Sequence, residues 1–372
     1  MIRVLLVNKF SAPHVGGIER HLDLLSRGLA SRPGIEPRIL TCNQGFSRYS
    51  STDVPCPTSK AASLGQVLSM PISLQFPWLL RKAKADILHF HHPFPLGEVS
   101  QLLMGPHRKY IVTWHSDIIR QRRLAALYRP ILLRFLRRAE AIIVGSPNYL
   151  DVSSYLPAFR EKCRVIPYGI EVDSLSCPSE RVLEEAEGLR STYGDRLVLF
   201  VGRLVRYKGI PYLVEAMKSV EGRLLIIGDG PLLKTIQSQI HTLDLDDKVR
   251  ICSHVTDGEL VSYYHASRLL VLPSISINES FGLVQLEAMA CGKPVVSTSL
   301  PTGVTYANLN GQTGLTVPPG DSPALAQAIA TLLDDSDLAA RLGAQGRQRV
   351  HAEFQVDKMV SSVEALYREL VA

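Results

Sequence analysis

The sequence predicts an α/β protein made of two doubly wound, Rossmann-like domains in tandem. Three observations carry this. Short β-branched apolar runs alternate with helical patterns, as expected of parallel strands covered by helices on both faces. The alternation restarts near residue 169, after which a polar stretch precedes the next run. A chain of 372 residues also exceeds what one hydrophobic core usually serves.

In chain order, the first set of strands is expected at 2–7, 38–41, 86–90, 109–113, 141–145 and 164–167, and the second at 196–201, 223–227, 248–252, 269–273, 294–297 and 314–317. The domains are placed at 1–168 and 169–351. The remaining segment, 352–372, reads as an amphipathic helix with no strand left to serve. Ligands of doubly wound sheets bind at the carboxyl ends of the strands, so a cleft between the domains is the expected site.

Bulk properties exclude several classes. The six cysteines are scattered singly, which argues against a zinc site or a disulfide framework and for reduced thiols in a cytosol. The N-terminal apolar run is too short for a secretory signal and reads as a first strand. Residues 61–80 carry no charge and would satisfy a length rule for a membrane span, but serines, two glutamines, Pro71 and Pro77 favour a loop and a helix against the sheet. Residues 1–170 hold 23 Lys and Arg against 10 Asp and Glu, net +13, and the remainder is net −7. The halves are electrostatically different objects.

Several motifs lie where loops leave strands. Gly16 and Gly17 sit between the first strand and a helix, where a phosphate could approach backbone N–H groups, although such glycines also serve plain turn geometry. Gly202 to Gly209 follows a strand of the second half and places Arg203 and Lys208 where two cations can neutralise a diphosphate, the alternative being a solvated basic loop. Gly228-Asp229-Gly230-Pro231 reads as a structural turn.

The stretch ESFGLVQLEAMACGKPV, residues 279–295, is the most informative. Phe281, Gly282 and Leu283 open a helix whose free N–H groups suit an anion, Glu279 beside them can accept from sugar hydroxyls, and Glu287 can hold a ribose diol. The bland alternatives are a helix-dipole partner for Glu279 and a salt bridge for Glu287. In the first half, His115 follows a strand and could donate or accept a hydrogen bond near a reacting centre, with Asp117 setting its tautomer or meeting the acceptor. His89, His91 and His92 read as a cleft wall rather than a metal cluster, because adjacent strand residues face opposite ways.

No acid lies between Asp117 and Glu140, while Arg120, Arg122, Arg123, Arg129, Arg134, Arg137 and Arg138 interleave with apolar residues. This is the pattern of a basic amphipathic helix suited to anionic headgroups, with a merely solvated face as the alternative. Nucleic acid is not expected as a partner, since no recognised nucleic-acid module is present.

In this order the motifs resemble the retaining glycosyltransferases of the family-four group with the GT-B fold, over nearly the whole chain. The resemblance rests on Gly16 and Gly17, His115, Arg203 and Lys208, and above all on the E-x7-E pattern from Glu279 to Glu287. It implies two Rossmann-like domains facing a central cleft, with the terminal helix crossing back to the first, acceptor-binding domain. The second domain would hold a nucleoside-diphosphate sugar. Arg203, Lys208 and the backbone at Gly282 and Leu283 would meet the diphosphate, Glu287 and Phe281 the nucleoside and sugar side, and Glu279 the donor sugar. Gly17 would close onto the phosphates and His115 would lie near the anomeric carbon, with no metal and no other cofactor.

The phrases at 7–10, 17–20 and 114–117 look like bacterial mannosyl- or rhamnosyltransferases of surface-polysaccharide (O-antigen) assembly, which points to a GDP-sugar donor and a lipid-linked saccharide acceptor. Relatives often carry Leu-Gly after the strand that ends here at Cys252, where this chain has Ser253-His254. That departure leaves a UDP-sugar-dependent glucosyl- or N-acetylhexosaminyltransferase as the alternative. A non-catalytic relative that binds polyanions or membranes through the arginine patch is the other. The expected setting is the cytoplasm, peripherally on the anionic inner membrane.

Overall fold

A computed structural model describes residues 1–14, 16–51, 56–67, 70–105, 108–118 and 122–372, without the side chains of 122–125. The chain divides into two compact units, Met1–Gly169 with Val356–Ala372, and Ile170–Gln355.

The first unit is built on an eight-stranded sheet. From edge to edge its strands are Cys163–Val165, Ala141–Val144, Tyr110–Trp114, Ile87–His92, Ile2–Val7, Ile35–Cys42, Thr58–Ala61 and Tyr49–Ser51. All pairings are parallel except the last, at the edge. The central strands are buried along their whole length, which is why they carry no charged residue and are mostly apolar, the histidines of Ile87–His92 being the main exception. The two strands at 49–51 and 58–61 escape the sequence reading because they are short, polar and partly exposed.

The second unit carries six parallel strands in the order Val249–Cys252, Arg223–Ile227, Leu197–Val201, Leu269–Leu272, Val295–Thr298 and Gly314–Val317. Its core packs Phe200, Ile226, Leu269 and Val296 against helices such as Ile210–Ala216 and Ser322–Asp334. In both sheets the order of strands reverses once. In the first the reversal lies between Ile2–Val7 and Ile87–His92, and in the second between Leu197–Val201 and Leu269–Leu272. Such switch points open a crevice beyond the strand ends, where α/β proteins bind ligands.

Two helices close the chain, Ser336–Glu353 and Val356–Val371. The break between them comes at Phe354, whose buried ring packs on Phe281 and Tyr306 of the second unit. Val356–Val371 belongs to the first unit, where Met359, Val360, Val363 and Tyr367 join the core of Val4, Leu6, Leu25 and Ile87. Tyr367 also shares a hydrogen bond with buried His89, 2.6 Å from its Nδ1. Helix Gly17–Ala30 crosses this terminal helix closely enough that a Cβ on Gly28 would overlap the β-branched side chain of Val360.

Gly28→Val should therefore loosen the terminal helix and cost about 1–3 kcal/mol. Hydrogen exchange should show protection lost first across 356–371. Unchanged protection there would mean the crossing tolerates the added volume.

Candidate functional site

In the second unit the two loops that leave the switch point meet. Lys208 follows strand Leu197–Val201, Glu279 follows strand Leu269–Leu272, and both side chains are buried, with Lys208 Nζ 2.6 Å from Glu279 Oε2. Ser274 Oγ donates to the same oxygen at 2.8 Å. Burial works against the Lys208 ammonium, but the Glu279 carboxylate outweighs it and holds the lysine pKa above its ordinary value. The loops are also tied backbone to backbone, with Ile275 N donating to Tyr207 O at 2.8 Å.

Beyond Glu279 the helix Leu283–Ala290 begins. Its cap residue is Gly282, with φ +77°, a conformation that favours glycine, and a Cβ there would press on Leu272. Thr302 Oγ1 donates to Glu279 O, and Gly303 N donates to Ser280 O, so the loop is fixed from behind. Glu287 lies on this helix, buried, and accepts from Tyr264 OH at 2.6 Å. Arg203 is exposed on the neighbouring loop. Gly228 is a backbone device, because a Cβ there would overlap Gly202 O.

One expected contact changes. The Phe281 ring is 2% exposed and packs against Phe354 and Tyr306. It is a core residue, and only its backbone can face a ligand.

In the first unit the switch point gathers imidazoles. His21 comes from helix Gly17–Ala30, His91 from strand Ile87–His92, and His115 from the loop after Tyr110–Trp114; all three are buried, with ligand atoms within 4.8 Å of one another. His115 Nε2 lies 3.0 Å from His91 Nδ1, and His115 Nδ1 lies 2.9 Å from Tyr168 OH. The rings of His89, His91, His115 and Tyr168 stack in sequence, with His21 set edge-on. The His91 and His115 rings lie within 14° of parallel and already share a hydrogen bond. The arrangement reads as a hydrogen-bonded stack of neutral imidazoles.

Two expectations fail here. Asp117 does not orient His115. It accepts from Trp114 Nε1 (3.0 Å), Ser153 Oγ (2.7 Å) and Ser154 N (2.7 Å), and so braces the loop, while Tyr168 partners the histidine. His89, His91 and His92 do not line an open wall. They are fully enclosed, His92 by Glu98 at 2.8 Å and by the Trp114 ring at 3.7 Å. Tyr168, His21, Ser274 and Tyr264 are the partners that sequence reasoning missed, and His91, read there as cleft wall, is a partner of His115.

Gly16 and Gly17 open helix Gly17–Ala30 with no left-handed backbone, and a Cβ on Gly17 would meet nothing. Turn geometry therefore does not account for Gly17. Arg129, Arg134, Arg137 and Arg138 are exposed on helix Arg122–Arg138. Arg120 and the side chains of Arg122 and Arg123 lie outside the described residues. No helix among the described residues is long and apolar enough to cross a membrane.

Two sheets of this topology, each with its polar constellation at a switch point, define a protein of two Rossmann-like α/β domains. Residues 15–174 match the family described as Glycosyltransferase Family 4, and residues 184–349 match Glycosyl transferases group 1. The D-rhamnosyltransferase WbpZ of Pseudomonas aeruginosa is 37% identical over 73% of this chain and 70% of its own. The O-antigen chain mannosyltransferase C of Escherichia coli is 32% identical over 100% and 99%. Among solved structures, sucrose-phosphate synthase from Thermosynechococcus elongatus superposes with a TM-score of 0.84 at 25% identity, covering 100% of this chain and 99% of that one. The chain belongs to the family-four glycosyltransferases and is a glycosyltransferase of the GT-B fold.

Burial pushes the His21 pKa down to about 4 and that of His89 to about 3, and it holds His91 and His115 well below the usual range, helped by their mutual repulsion. The unfolded chain takes up these protons near pH 6.5, whereas the folded chain does not. Stability is thus fully present above about pH 6.5 and falls as the pH drops toward 4, by up to about 1.4 kcal/mol per pH unit for each histidine. His21, whose ring nitrogens find no hydrogen-bond partner among the described residues, is the cleanest test. His21→Phe should flatten the fall in melting temperature between pH 7 and 5. An equally steep fall would show that His21 does not carry it.

Proposed function

We propose that the chain is a retaining, metal-independent hexosyltransferase. It moves mannose or rhamnose from a GDP-sugar to a lipid-linked saccharide in bacterial surface-polysaccharide (O-antigen) assembly, at the cytoplasmic face of the inner membrane. The observation that carries the reading is the buried Lys208–Glu279 pair at the switch point, beside the start of helix Leu283–Ala290. The names of the two relatives supply the sugar class and the setting.

The chemistry follows from charge. Cleaving the sugar–phosphate bond builds negative charge on the departing diphosphate, which Lys208, Arg203 and the N–H groups at Gly282 and Leu283 stabilise in this reading. Glu279 then has two tasks, holding the Lys208 ammonium and accepting from the donor sugar, while Glu287 serves the ribose. Gly17 and His115 keep the roles the family resemblance gives them, with His115 neutral and able to accept or donate through one nitrogen. Retention is assigned to front-face attack, in which a leaving phosphate oxygen takes the acceptor proton. The exposed arginines of helix Arg122–Arg138 attach the first unit to anionic lipid.

The UDP-sugar reading keeps its footing on Ser253 and His254 after strand Val249–Cys252. A thermal-shift titration without metal separates the two. GDP and GDP-mannose should each raise the melting temperature, by the equivalent of about 2.7 kcal/mol at a hundredfold excess over Kd. A rise with UDP alone would transfer the assignment to the alternative.

Glu279→Gln keeps a polar partner for Lys208 and should lower turnover at least about 100-fold while the shift with GDP alone persists. Undiminished turnover would remove Glu279 from the donor site.

A further inference from the structure

Residues 61–80 carry no charged side chain, and the transferase reading makes no use of them. The described residues among them are neither a membrane span nor simply buried. Gln66–Val67 pairs antiparallel with Met70–Pro71, and helix Phe76–Lys82 follows. Phe76 and Leu80, one turn apart, fix that helix to the core.

The polarity of the segment is inverted. Ser63 and Ser73 are buried at 3% and 4% exposure, while Leu64, Val67, Ile72, Leu74 and Trp78 are exposed at 59, 56, 43, 82 and 56%. The buried serines serve the segment's own backbone. Ser63 Oγ donates to Gly65 O and Ser73 Oγ donates to Ala62 O, while Ser73 Oγ also accepts from Phe76 N. Gln75 Oε1 accepts from Ala62 N, while Leu64 N donates to Ile72 O and Ile72 N donates to Gly65 O. Polar groups satisfied inward and large apolar groups turned outward are what a lipid environment demands and what water penalises.

Charge says which environment. No acid occurs from residue 54 to residue 85, and exposed Arg81 and Lys82 in the last helical turn are followed by exposed Lys84. Lys82 Nζ lies 3.5 Å from the centroid of the Trp78 ring. A tryptophan with a lysine over it, at the border between an apolar strip and a basic flank, matches the headgroup level of a bilayer. An apolar strip whose only formal charges are positive fits an anionic lipid surface.

We propose that 61–84 is an interfacial insertion element. Leu64, Val67, Ile72, Leu74 and Trp78 enter the boundary between headgroups and acyl chains of an anionic bilayer, and Arg81, Lys82 and Lys84 stay among the headgroups. This deepens the membrane attachment given under the proposed function, and it uses none of the arginines of helix Arg122–Arg138. Two components of binding result: an electrostatic one that salt screens and an apolar one that salt leaves in place.

The chain holds two tryptophans, and the other, Trp114, is buried, so Trp78 is a built-in reporter. Phosphatidylglycerol vesicles with brominated acyl chains should blue-shift and quench its emission, and Trp78→Phe should abolish that response. Replacing Leu64, Ile72 and Leu74 together by Ser should weaken vesicle binding in high salt about tenfold or more. The melting temperature shift with GDP should stay unchanged, which checks that the fold is intact. Replacing Arg129, Arg134 and Arg137 by Glu should weaken only the salt-sensitive part.

Vesicle binding without quenching, and undiminished by the serine replacements, would overturn insertion and leave the electrostatic attachment standing. No binding of the unaltered protein to these vesicles would overturn both. A change from dimer to monomer in the serine variant, with vesicle binding unaltered, would assign the strip to a second copy of the chain and overturn the lipid assignment.

Discussion

The ion pair between Lys208 and Glu279 is the constraint around which the second unit is arranged. Burying two opposite charges is costly unless their geometry is good and further hydrogen bonds satisfy them. Here the pair closes at 2.6 Å, and Ser274 supplies a third polar partner. The strands that carry the two loops are neighbours in the sheet only because the strand order reverses between them. Close approach of the loops then has backbone consequences. Gly209 has φ +68°, and a Cβ on it would overlap Pro273 O, so the lysine loop can lie against the glutamate loop only with glycine at that position. A pair held this way is weak evidence for stability and better evidence for a site, since an arriving anion finds an ammonium already fixed in position.

The first unit solves the opposite problem. At its own switch point it buries several histidines with no carboxylate within the stack, and burial without a counter-charge keeps them neutral. Neutral imidazoles can pass or hold a proton along the sequence Tyr168, His115, His91, whereas protonated ones would repel each other. Carboxylates do occur nearby, but each is committed elsewhere. Glu98 is tied to His92, Tyr128 and the Phe94 N–H, and Asp117 to Trp114, Ser153 and Ser154. Acid and imidazole are thus partitioned between bracing the loops and forming the stack.

Much of this was legible in the sequence, and the pattern of success has a physical basis. Parallel strands buried on both faces read as apolar runs such as Leu197–Val201, so the central strands of each sheet could be placed from the pattern of runs. Glu279 and Glu287 could be placed because loop and helix fix their spacing locally. Contacts across the fold could not. His115 meets Tyr168 from 53 positions away, and sequence proximity pointed instead to Asp117, whose side chain turns toward Ser153. Phe281 misled for a related reason. Its place at a helix start suggested a ligand, but Phe354, far along the chain, completes an aromatic core around it.

The charge-free segment shows where periodicity and counting both run out. A length rule sees twenty uncharged residues and suggests a span, while a packing rule sees apolar residues and suggests a core. Both treat an apolar side chain as a statement about burial. At Ser63, Leu64, Val67, Ile72, Ser73, Leu74 and Trp78 the structure reverses that statement: small hydroxyls go inward because they can close backbone hydrogen bonds, and large apolar side chains go outward because the interior is already filled by Phe76, Leu80 and Phe94. Absence of charge therefore marks a surface that water is not meant to solvate, and only the hydrogen-bond accounting of the serines distinguishes such a surface from a core.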